Sequence, residues 1–331
     1  MPTIPIHNYN ARVIHVPVRL GALRDGWYPK QLPVQESWRQ RYAAGRFAKI
    51  KATDGQHITL REKDDATIAY LVPSAGIDGL VDLNELARMI EELPPVSHSR
   101  GCDGVEARGV DDVRFYCVWN PMTPGLEPLE SCNFRRDGAS AEEFVNAAKP
   151  LWDYADGVMK NVFAGCCRFC AQYPLPDCLQ RKAGPWMGMA INRGTIEPVC
   201  CKEHRDVLSA MYGVSCLCPL GNYEGGNVIL WELQVEVELR PGDLLFFPDH
   251  LITHSNSSAV GIRHSLVAFM RQAMMIWLRK RYRYMDEREE SGKIRRKERR
   301  VIAKRKGGLP SFNDIKQKET KIIMKKASQR K

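Results

Sequence analysis

The sequence has no apolar run near the roughly 18 residues that span a lipid bilayer. Its first residues, MPTIPIHNYN, lack the basic cluster and apolar stretch of a secretory signal peptide. The 11 cysteines are odd in number and some are adjacent, so a regular disulfide framework is missing. We therefore expect a soluble intracellular protein, not bound to membrane, with cysteines present as thiols or metal ligands.

Collagen-like, disordered and mini-protein classes are excluded by composition. The chain has 331 residues, of which 44% are hydrophobic and 27% charged, which is ordinary for a globular protein. No internal repeat is visible. The apolar content is enough for one large domain or two modest ones.

The positive charge is confined to the C-terminal end. Residues 279–331 contain 21 Lys and Arg against 7 Asp and Glu, a net charge of +14, whereas the whole chain carries +10. The densest run, 293–306, is typical of a nuclear localisation signal or a phosphate-binding arm, and a solvated helix face is the alternative. We expect a nuclear protein that binds nucleic acid through this tail.

Periodicity divides the chain into three parts. Leu83, Leu86 and Ile90 predict a helix that Pro94 ends. Ser140 with Glu143 forms a capping box, which predicts a helix from there to about residue 163. We place an N-terminal α+β region at 1–139, a β-rich domain with its supporting helix at 140–278, and a basic tail, helical to about residue 306, at 279–331.

The β-rich part consists of short strand-like runs separated by Gly and Pro. They are 186–192, 198–204, 214–220, 225–233, 235–239, 243–248, 251–255 and 263–269. So many short runs in so few residues favour an antiparallel sandwich or jelly roll. The predicted fold class is α+β, with a jelly-roll core, flanking N-terminal helices and a basic C-terminal helical tail.

Two histidines and one carboxylate stand in the spacing of an iron site. His204 and Asp206 form an H-x-D triplet, and residues two apart on a strand face the same side. His254 follows after a strand, a hairpin and another strand. Such a set is the facial triad of non-haem Fe(II), which leaves coordination positions open for a cosubstrate and O₂.

Arg263 lies nine residues after His254 in the next strand. A guanidinium there can bind a dicarboxylate through two parallel hydrogen bonds. Ser265 shares its strand face and can add a hydroxyl group to the same carboxylate.

The order HRD, GG-x-V-x-LWEL, RPGDLLFFP, THSN and GIRHS resembles the TET/JBP-like Fe(II)/2-oxoglutarate dioxygenases that are expanded in basidiomycete fungi. The resemblance implies that His204, Asp206 and His254 bind Fe(II), and that Arg263, assisted by Ser265, binds 2-oxoglutarate. It also implies that the jelly-roll core is a double-stranded β-helix, and that the protein oxidises 5-methylcytosine in DNA. Many family members have an Asn shortly after H-x-D, whereas this chain has Val207, Leu208 and Ser209.

Three further features each allow two interpretations. Asn192 could face the cosubstrate or end its strand, and Phe269 could stack on a flipped base or belong to the core. Cys166, Cys167, Cys170 and Cys178, together with Cys200 and Cys201, could form a structural zinc site or pack as buried thiols.

The sequence thus predicts a monomeric Fe(II)- and 2-oxoglutarate-dependent dioxygenase that acts on methylated DNA. Two alternatives remain open at this point. One is a hydroxylase of protein side chains, of the prolyl type, and the other is a catalytically silent DNA-associated scaffold.

Overall fold

A computed structural model describes residues 11–18, 33–52, 55–63, 65–94, 112–119, 127–171, 174–176, 179–194 and 201–290. The strands in these ranges are β1 (Arg12–His15), β2 (Ala48–Lys51), β3 (Ile58–Arg61), β4 (Thr67–Val72), β5 (Asp112–Trp119), β6 (Leu129–Glu130), β7 (Gly188–Arg193), β8 (Ser215–Gly225), β9 (Val228–Leu230), β10 (Val235–Glu238), β11 (Leu244–Phe247), β12 (His254–Asn256) and β13 (Ala259–Phe269). The helices are α1 (Glu36–Ala43), α2 (Leu83–Glu92), α3 (Cys132–Val162), α4 (Ala164–Ala171) and α5 (Gln272–Glu290).

Within these ranges, nine strands form a large sheet in the order β1-β3-β4-β11-β8-β13-β7-β5-β6. Its centre is the antiparallel pair β8 and β13, in which Arg263 lies opposite Gly221 and Ser265 opposite Pro219. The four remaining strands form a smaller sheet in the order β12-β9-β10-β2. Apolar side chains from both sheets pack in one core cluster, so the sheets face each other as in a jelly roll.

Alternation along β13 explains how the large sheet buries both faces. Leu266 and Ala268 are buried on the outer face, in the core formed with α2, α3 and α5. Residues 263, 265 and 267 have the opposite parity and face the inside of the jelly roll. The strand can therefore support helices on one side and a cavity on the other.

Helix α2 begins and ends where the sequence predicts. Asp82 is its N-cap and accepts a hydrogen bond from the backbone N–H of Glu85 at 3.0 Å. Leu86 and Ile90 are buried against the large sheet, each contributing about 1.5–3 kcal/mol relative to exposure. In α3, Gly138 has φ 53° and kinks the helix, so its second part starts next to the predicted start at Ser140.

Two strand predictions need correction. Of the run predicted at 198–204, residues 201–203 are not in a strand, and His204 forms only an isolated bridge. In the run predicted at 251–255, β12 begins only at His254, because Leu251 and Ile252 form a turn. The α+β jelly-roll prediction itself is confirmed.

Helix α5 accounts for the start of the predicted C-terminal helix, and residues 291–331 lie outside the described part. No helix in the described ranges has the length and apolar character to cross a membrane. The division at residue 139 stays a prediction, although strands from both sides of it share the large sheet.

Candidate metal and cosubstrate site

A cavity opens between the two sheets next to β13 and β12. Six of the seven residues predicted to bind the metal ion, the cosubstrate or the substrate line this cavity, and Phe269 does not. The nominated residues that line it are Asn192, His204, Asp206, His254, Arg263 and Ser265.

The three candidate metal ligands come together at this cavity. One ligand atom from each of His204, Asp206 and His254 lies within 4.8 Å of the other two. His254 Nε2 is 3.7 Å from Asp206 Oδ2, and the two imidazole rings are 4.3 Å apart between centroids. Two imidazoles and a carboxylate at one point are the donor set that non-haem Fe(II) takes.

The backbone holds the two histidines opposite each other. The N–H of His204 donates to the carbonyl oxygen of His254 at 3.0 Å, and the N–H of His254 returns the bond at 2.9 Å. His254 also pairs with Leu230 in the small sheet. The first ligand is therefore tied to a strand although its own segment is irregular.

Hydrogen bonds select the metal-binding nitrogen of each ring. His204 Nδ1 lies 2.9 Å from the carbonyl oxygen of Lys202, and His254 Nδ1 lies 3.0 Å from that of Ile252. A carbonyl oxygen can only accept, so Nδ1 carries the hydrogen in both bonds. This leaves both Nε2 atoms with a lone pair for a metal ion.

Arg263 extends its guanidinium group into the same cavity from β13. Its Nε and Nη2 atoms are buried and have no hydrogen-bond partner among the described residues. Its Cζ lies 5.4 Å from the centre of the Tyr223 ring. A buried guanidinium with two free donors on one edge matches the two oxygens of a carboxylate, and no carboxylate of the described chain takes that place.

Ser265 and Asn192 stand beside Arg263 on neighbouring strands. The two residues are opposite each other in the pairing of β13 with β7, and Asn192 Nδ2 donates to Ser265 Oγ at 2.9 Å. Both side chains line the cavity. The structure therefore brings together Arg263, Ser265 and Asn192, the three residues predicted to bind the cosubstrate.

The residues of the cavity fit Fe(II) and 2-oxoglutarate. Three donor atoms converge on one point, and unpartnered guanidinium nitrogens lie in the same cavity. Fe(II) would be held by His204, Asp206 and His254, and 2-oxoglutarate by Arg263 with Ser265 and Asn192.

Asp249 is a further site residue, which the sequence pattern does not predict. Its carboxylate lines the cavity and accepts hydrogen bonds from Ser215 Oγ at 2.6 Å and Ser209 Oγ at 3.0 Å. Burial, and next the neighbouring Asp206, raise the pKa of Asp249. Its segment predicts only the strand at 243–248, and nothing local marks this aspartate as facing Asp206.

Phe269 lies beyond the cavity, on the inner face of the large sheet. It is 7% exposed and contacts Phe115 edge-on, with the ring centroids 6.0 Å apart. Trp119 continues this aromatic surface, and the Arg271 guanidinium lies 3.8 Å above its ring. We call Phe115, Trp119, Phe269 and Arg271 the aromatic ledge.

Arg271 is a second site residue outside the predicted set, although the alternation along β13 indicates its position. Residues 263, 265, 267, 269 and 271 alternate along one line, so Arg271 continues the inner face one step beyond Phe269. The residue is half-buried, and burial lowers its pKa while Cys117 and Asp206 raise it. No carboxylate within the described ranges lies at ion-pair distance from it.

Two other histidines lie near the site in sequence but serve the scaffold. His264 points to the outer side, as its parity predicts, and its Nδ1 accepts from the Gly194 N–H at 3.0 Å. His250 is buried in the turn before β12.

The zinc hypothesis is not supported by a ligand cluster. Cys166, Cys167 and Cys170 lie on α4, and Cys178 and Cys200 lie outside the described residues. Cys201 is instead beside the iron-site candidate, with Sγ 3.4 Å from His204 Nδ1. Among described side chains, His204, Asp206 and His254 are the one group of three that could hold a metal ion.

Neither a protein-family profile nor a curated protein matches the sequence. Among solved structures, the chain is similar to NgTET1 in complex with 5mC DNA, with 14% identity, a TM-score of 0.51, and coverage of 80% of this chain and 83% of that one. It is also similar to a 2OG-Fe(II) oxygenase from Burkholderia pseudomallei, at 16% identity, a TM-score of 0.41 and coverage of 62% and 85%. The chain thus has the double-stranded β-helix fold of the 2-oxoglutarate and Fe(II) oxygenases.

Proposed function

We propose that this protein is an Fe(II)- and 2-oxoglutarate-dependent dioxygenase that oxidises 5-methylcytosine in DNA to 5-hydroxymethylcytosine. The observation that carries the dioxygenase reaction is the pair of buried, unpartnered Arg263 nitrogens in the cavity that also contains the ligand atoms of His204, Asp206 and His254. Leaving charged donors buried without a partner is costly, so a bound carboxylate explains them. Iron with 2-oxoglutarate and O₂ would supply the oxidation, releasing succinate and CO₂ and hydroxylating the methyl group.

The chain's own residues orient these groups and keep water away. The carbonyl oxygens of Lys202 and Ile252 fix the histidine rings, and Arg263 with Ser265 fixes the dicarboxylate. Buried Phe247 packs edge-on against His254, with ring centroids 5.0 Å apart. No acid or base from the protein is needed for hydroxylation of a methyl group.

The aromatic ledge supports a planar substrate. It lies on the inner face of the large sheet and continues the line of Arg263, Ser265 and Val267. Aromatic rings stack on every nucleobase, and an arginine beside them can donate to a base oxygen or a phosphate. A base on this surface must be flipped out of the duplex, which is how enzymes reach atoms inside a helix.

DNA binding and a nuclear location are the parts of the proposal that rest on the tail. Residues 279–331 carry +14 while the rest of the chain is mildly acidic. Clustered Lys and Arg release counterions from a phosphate backbone and so provide affinity independent of sequence. The neighbour NgTET1 was solved with 5mC DNA, which favours DNA over protein as the acceptor.

The deciding experiment supplies Fe(II), 2-oxoglutarate and one acceptor at a time: methylated DNA, unmethylated DNA, methylated RNA, and proline-containing peptides. Mass spectrometry identifies the oxidised acceptor, and succinate release measures turnover. We expect 5-hydroxymethylcytosine from methylated DNA only, and none from the His254→Ala variant. Oxidation of the peptide or the RNA instead would replace the substrate assignment, and absence of 2-oxoglutarate turnover with every acceptor would support the silent-scaffold alternative.

The ledge is tested with Trp119→Ala and Arg271→Ala. Trp119→Ala should raise the KM for methylated DNA about 5- to 150-fold, since base stacking is worth roughly 1–3 kcal/mol. Arg271→Ala should also raise this KM, because it removes the donor to a base oxygen or a phosphate. Both should leave the slow conversion of 2-oxoglutarate without DNA unchanged. An unchanged KM in both variants would remove the ledge from the substrate site.

A further inference from the structure

A buried ion pair lies directly behind the candidate metal ligands. Arg205 Nη2 is 2.6 Å from Glu232 Oε1, and the two side chains are 8% and 4% exposed. Arg205 stands between His204 and Asp206 in sequence, yet neither Arg205 nor Glu232 is among the residues that line the cavity. The pair therefore touches the ligand segment without entering the cavity.

Thr253 connects this pair to the second ligand segment. Arg205 Nε donates to Thr253 Oγ1 at 3.1 Å, and Thr253 Oγ1 donates to Glu232 Oε1 at 2.7 Å. The backbone N–H of Thr253 donates to Glu232 Oε2 at 2.7 Å. Since Thr253 immediately precedes His254, one carboxylate joins the two chain segments that carry all three candidate ligands.

The ligand segment needs such a connection because it is not part of a ladder. His204 forms only an isolated bridge with His254 within the described chain, and single backbone hydrogen bonds flank it, from the Asp206 N–H to the Asp249 carbonyl oxygen at 3.1 Å and from the Asn256 N–H to that of Cys201 at 3.3 Å. The hydrogen bonds of Arg205 and Glu232 are short and directional. They fix the spacing of residues 204–206 from residues 253–254.

We propose that Arg205, Glu232 and Thr253 are positioning residues that preset the metal-binding geometry of His204, Asp206 and His254. The inference rests on the proposed iron site. Burying two charges is an inefficient way to stabilise a fold, because apolar residues of similar volume often serve as well or better. Fixed distances between metal ligands are what directional charged bonds provide and apolar contacts do not.

The test is a titration with Co(II), monitored by its visible absorption, on the full chain without cosubstrate. Glu232→Gln keeps the shape and removes the charge, and Thr253→Val keeps the shape and removes the hydroxyl group. We expect Glu232→Gln to raise the Kd for Co(II) about 10- to 100-fold, with a changed absorption spectrum, and Thr253→Val to raise it several-fold. Circular dichroism establishes that each variant is folded at the titration temperature.

The matched control is a second buried ion pair away from the site. Arg114 Nε and Asp137 Oδ2 are 3.5 Å apart, and the side chains are 2% and 1% exposed, between β5 and α3. Asp137→Asn should lower the unfolding temperature and leave the Kd for Co(II) unchanged. This variant separates lost stability from lost metal geometry.

Unchanged Co(II) affinity and spectrum in folded Glu232→Gln, with normal binding by the unmodified protein, overturn the positioning role and leave the proposed function intact. If Glu232→Gln does not fold, Thr253→Val decides the question by the same criterion. Absence of Co(II) binding by the unmodified protein overturns the proposed iron site, and the positioning role with it.

Discussion

Gly226 lies directly against the side chain of Arg263. A Cβ atom added at Gly226 would be 2.6 Å from Arg263 Cδ and 2.8 Å from Arg263 Nε. The second glycine of the Gly225-Gly226 pair thus leaves space for the guanidinium to enter the cavity.

The first prediction follows from this contact. Gly226→Ala should displace Arg263 and raise the KM for 2-oxoglutarate at least tenfold, because small displacements of a binding group are costly. It should also cost about 1 kcal/mol of folding free energy, because residue 226 has φ +62°. Steady-state kinetics and urea unfolding measure the two effects.

Gly45→Ala is the control for backbone strain. Gly45 has φ +66° and open space where a Cβ would lie. The Gly45→Ala variant should lose as much folding free energy as Gly226→Ala and keep the KM for 2-oxoglutarate unchanged. Equal KM values in the two alanine variants would mean that Gly226 does not act through Arg263.

The second prediction concerns Arg263 itself. Arg263→Ala should raise the 2-oxoglutarate requirement by roughly two to three orders of magnitude, since breaking a buried charged pair costs about 2–5 kcal/mol. Arg263→Lys should rescue only part of this loss, because an ammonium group lacks the planar fork. Binding of 2-oxoglutarate, measured calorimetrically with Co(II) present, checks the order Arg, Lys, Ala; an unchanged affinity in the Ala variant would place the cosubstrate elsewhere.

The third prediction concerns the three ligands. His204→Ala, Asp206→Ala and His254→Ala should each abolish turnover and Co(II) binding while the protein stays folded, because the ligand atoms face a cavity. Asp206→Glu should fail as well, because one methylene group moves the carboxylate further than a metal bond tolerates. Exposed His15 offers the control, His15→Ala, which should keep full activity; full activity in any ligand variant would refute the triad.

The fourth prediction separates recruitment from chemistry. Removing residues 291–331, which lie after α5, changes the formal charge from +10 to −3. The shortened protein should lose most of its affinity for DNA and the salt dependence of binding, and should still convert 2-oxoglutarate slowly. Fluorescence anisotropy at several salt concentrations measures this; full affinity near physiological salt would show that the tail is not the DNA-binding arm.

The fifth prediction is a pH dependence of stability from His57. Its Nδ1 lies 3.0 Å from Tyr70 Oη, and burial lowers its pKa to about 4. The unfolded chain takes up a proton near pH 6.5, whereas the folded chain does so only near pH 4. His57 therefore leaves the free energy of unfolding unchanged above pH 6.5 and lowers it by about 2 kcal/mol as the pH falls towards 4. Urea unfolding from pH 7.5 to 4.5 should show a shallower decline in His57→Gln, and parallel declines would contradict it.

The local parts of the fold were predictable, and the long-range parts were not. Alternation gave β13 and its two faces, and apolar spacing gave α2. The pairing of β4 with β11 has no local signal, because Tyr70 lies opposite Phe246, which is far away in the sequence. The strand predicted at 198–204 is wrong for its described part, 201–204, because His204 forms its backbone hydrogen bonds with His254 in an isolated bridge and not in a ladder.

For the candidate site, spacing and residue type were enough to predict most of the side chains that meet in the cavity. The pattern consists of the H-x-D triplet, the later His254, and Arg263 at a fixed distance after it in the next strand. Asp249, Glu232 and Trp119 were not predictable, since each is defined by a neighbour distant in sequence. Arg271 could have been found by extending the alternation from Arg263.

The smaller sheet contains a strand from far upstream: β2 pairs in parallel with β10, with Ala48 opposite Val235. On the ribosome, β2 and β4 are made long before their partners, so the jelly roll closes only after most of the chain is synthesised, and high contact order makes that closure slow. A fragment consisting of residues 140–278 alone would leave the edges of β10 and β11 unpaired. Such edges attract other strands, so that fragment would aggregate, and soluble expression requires the upstream strands on the same polypeptide.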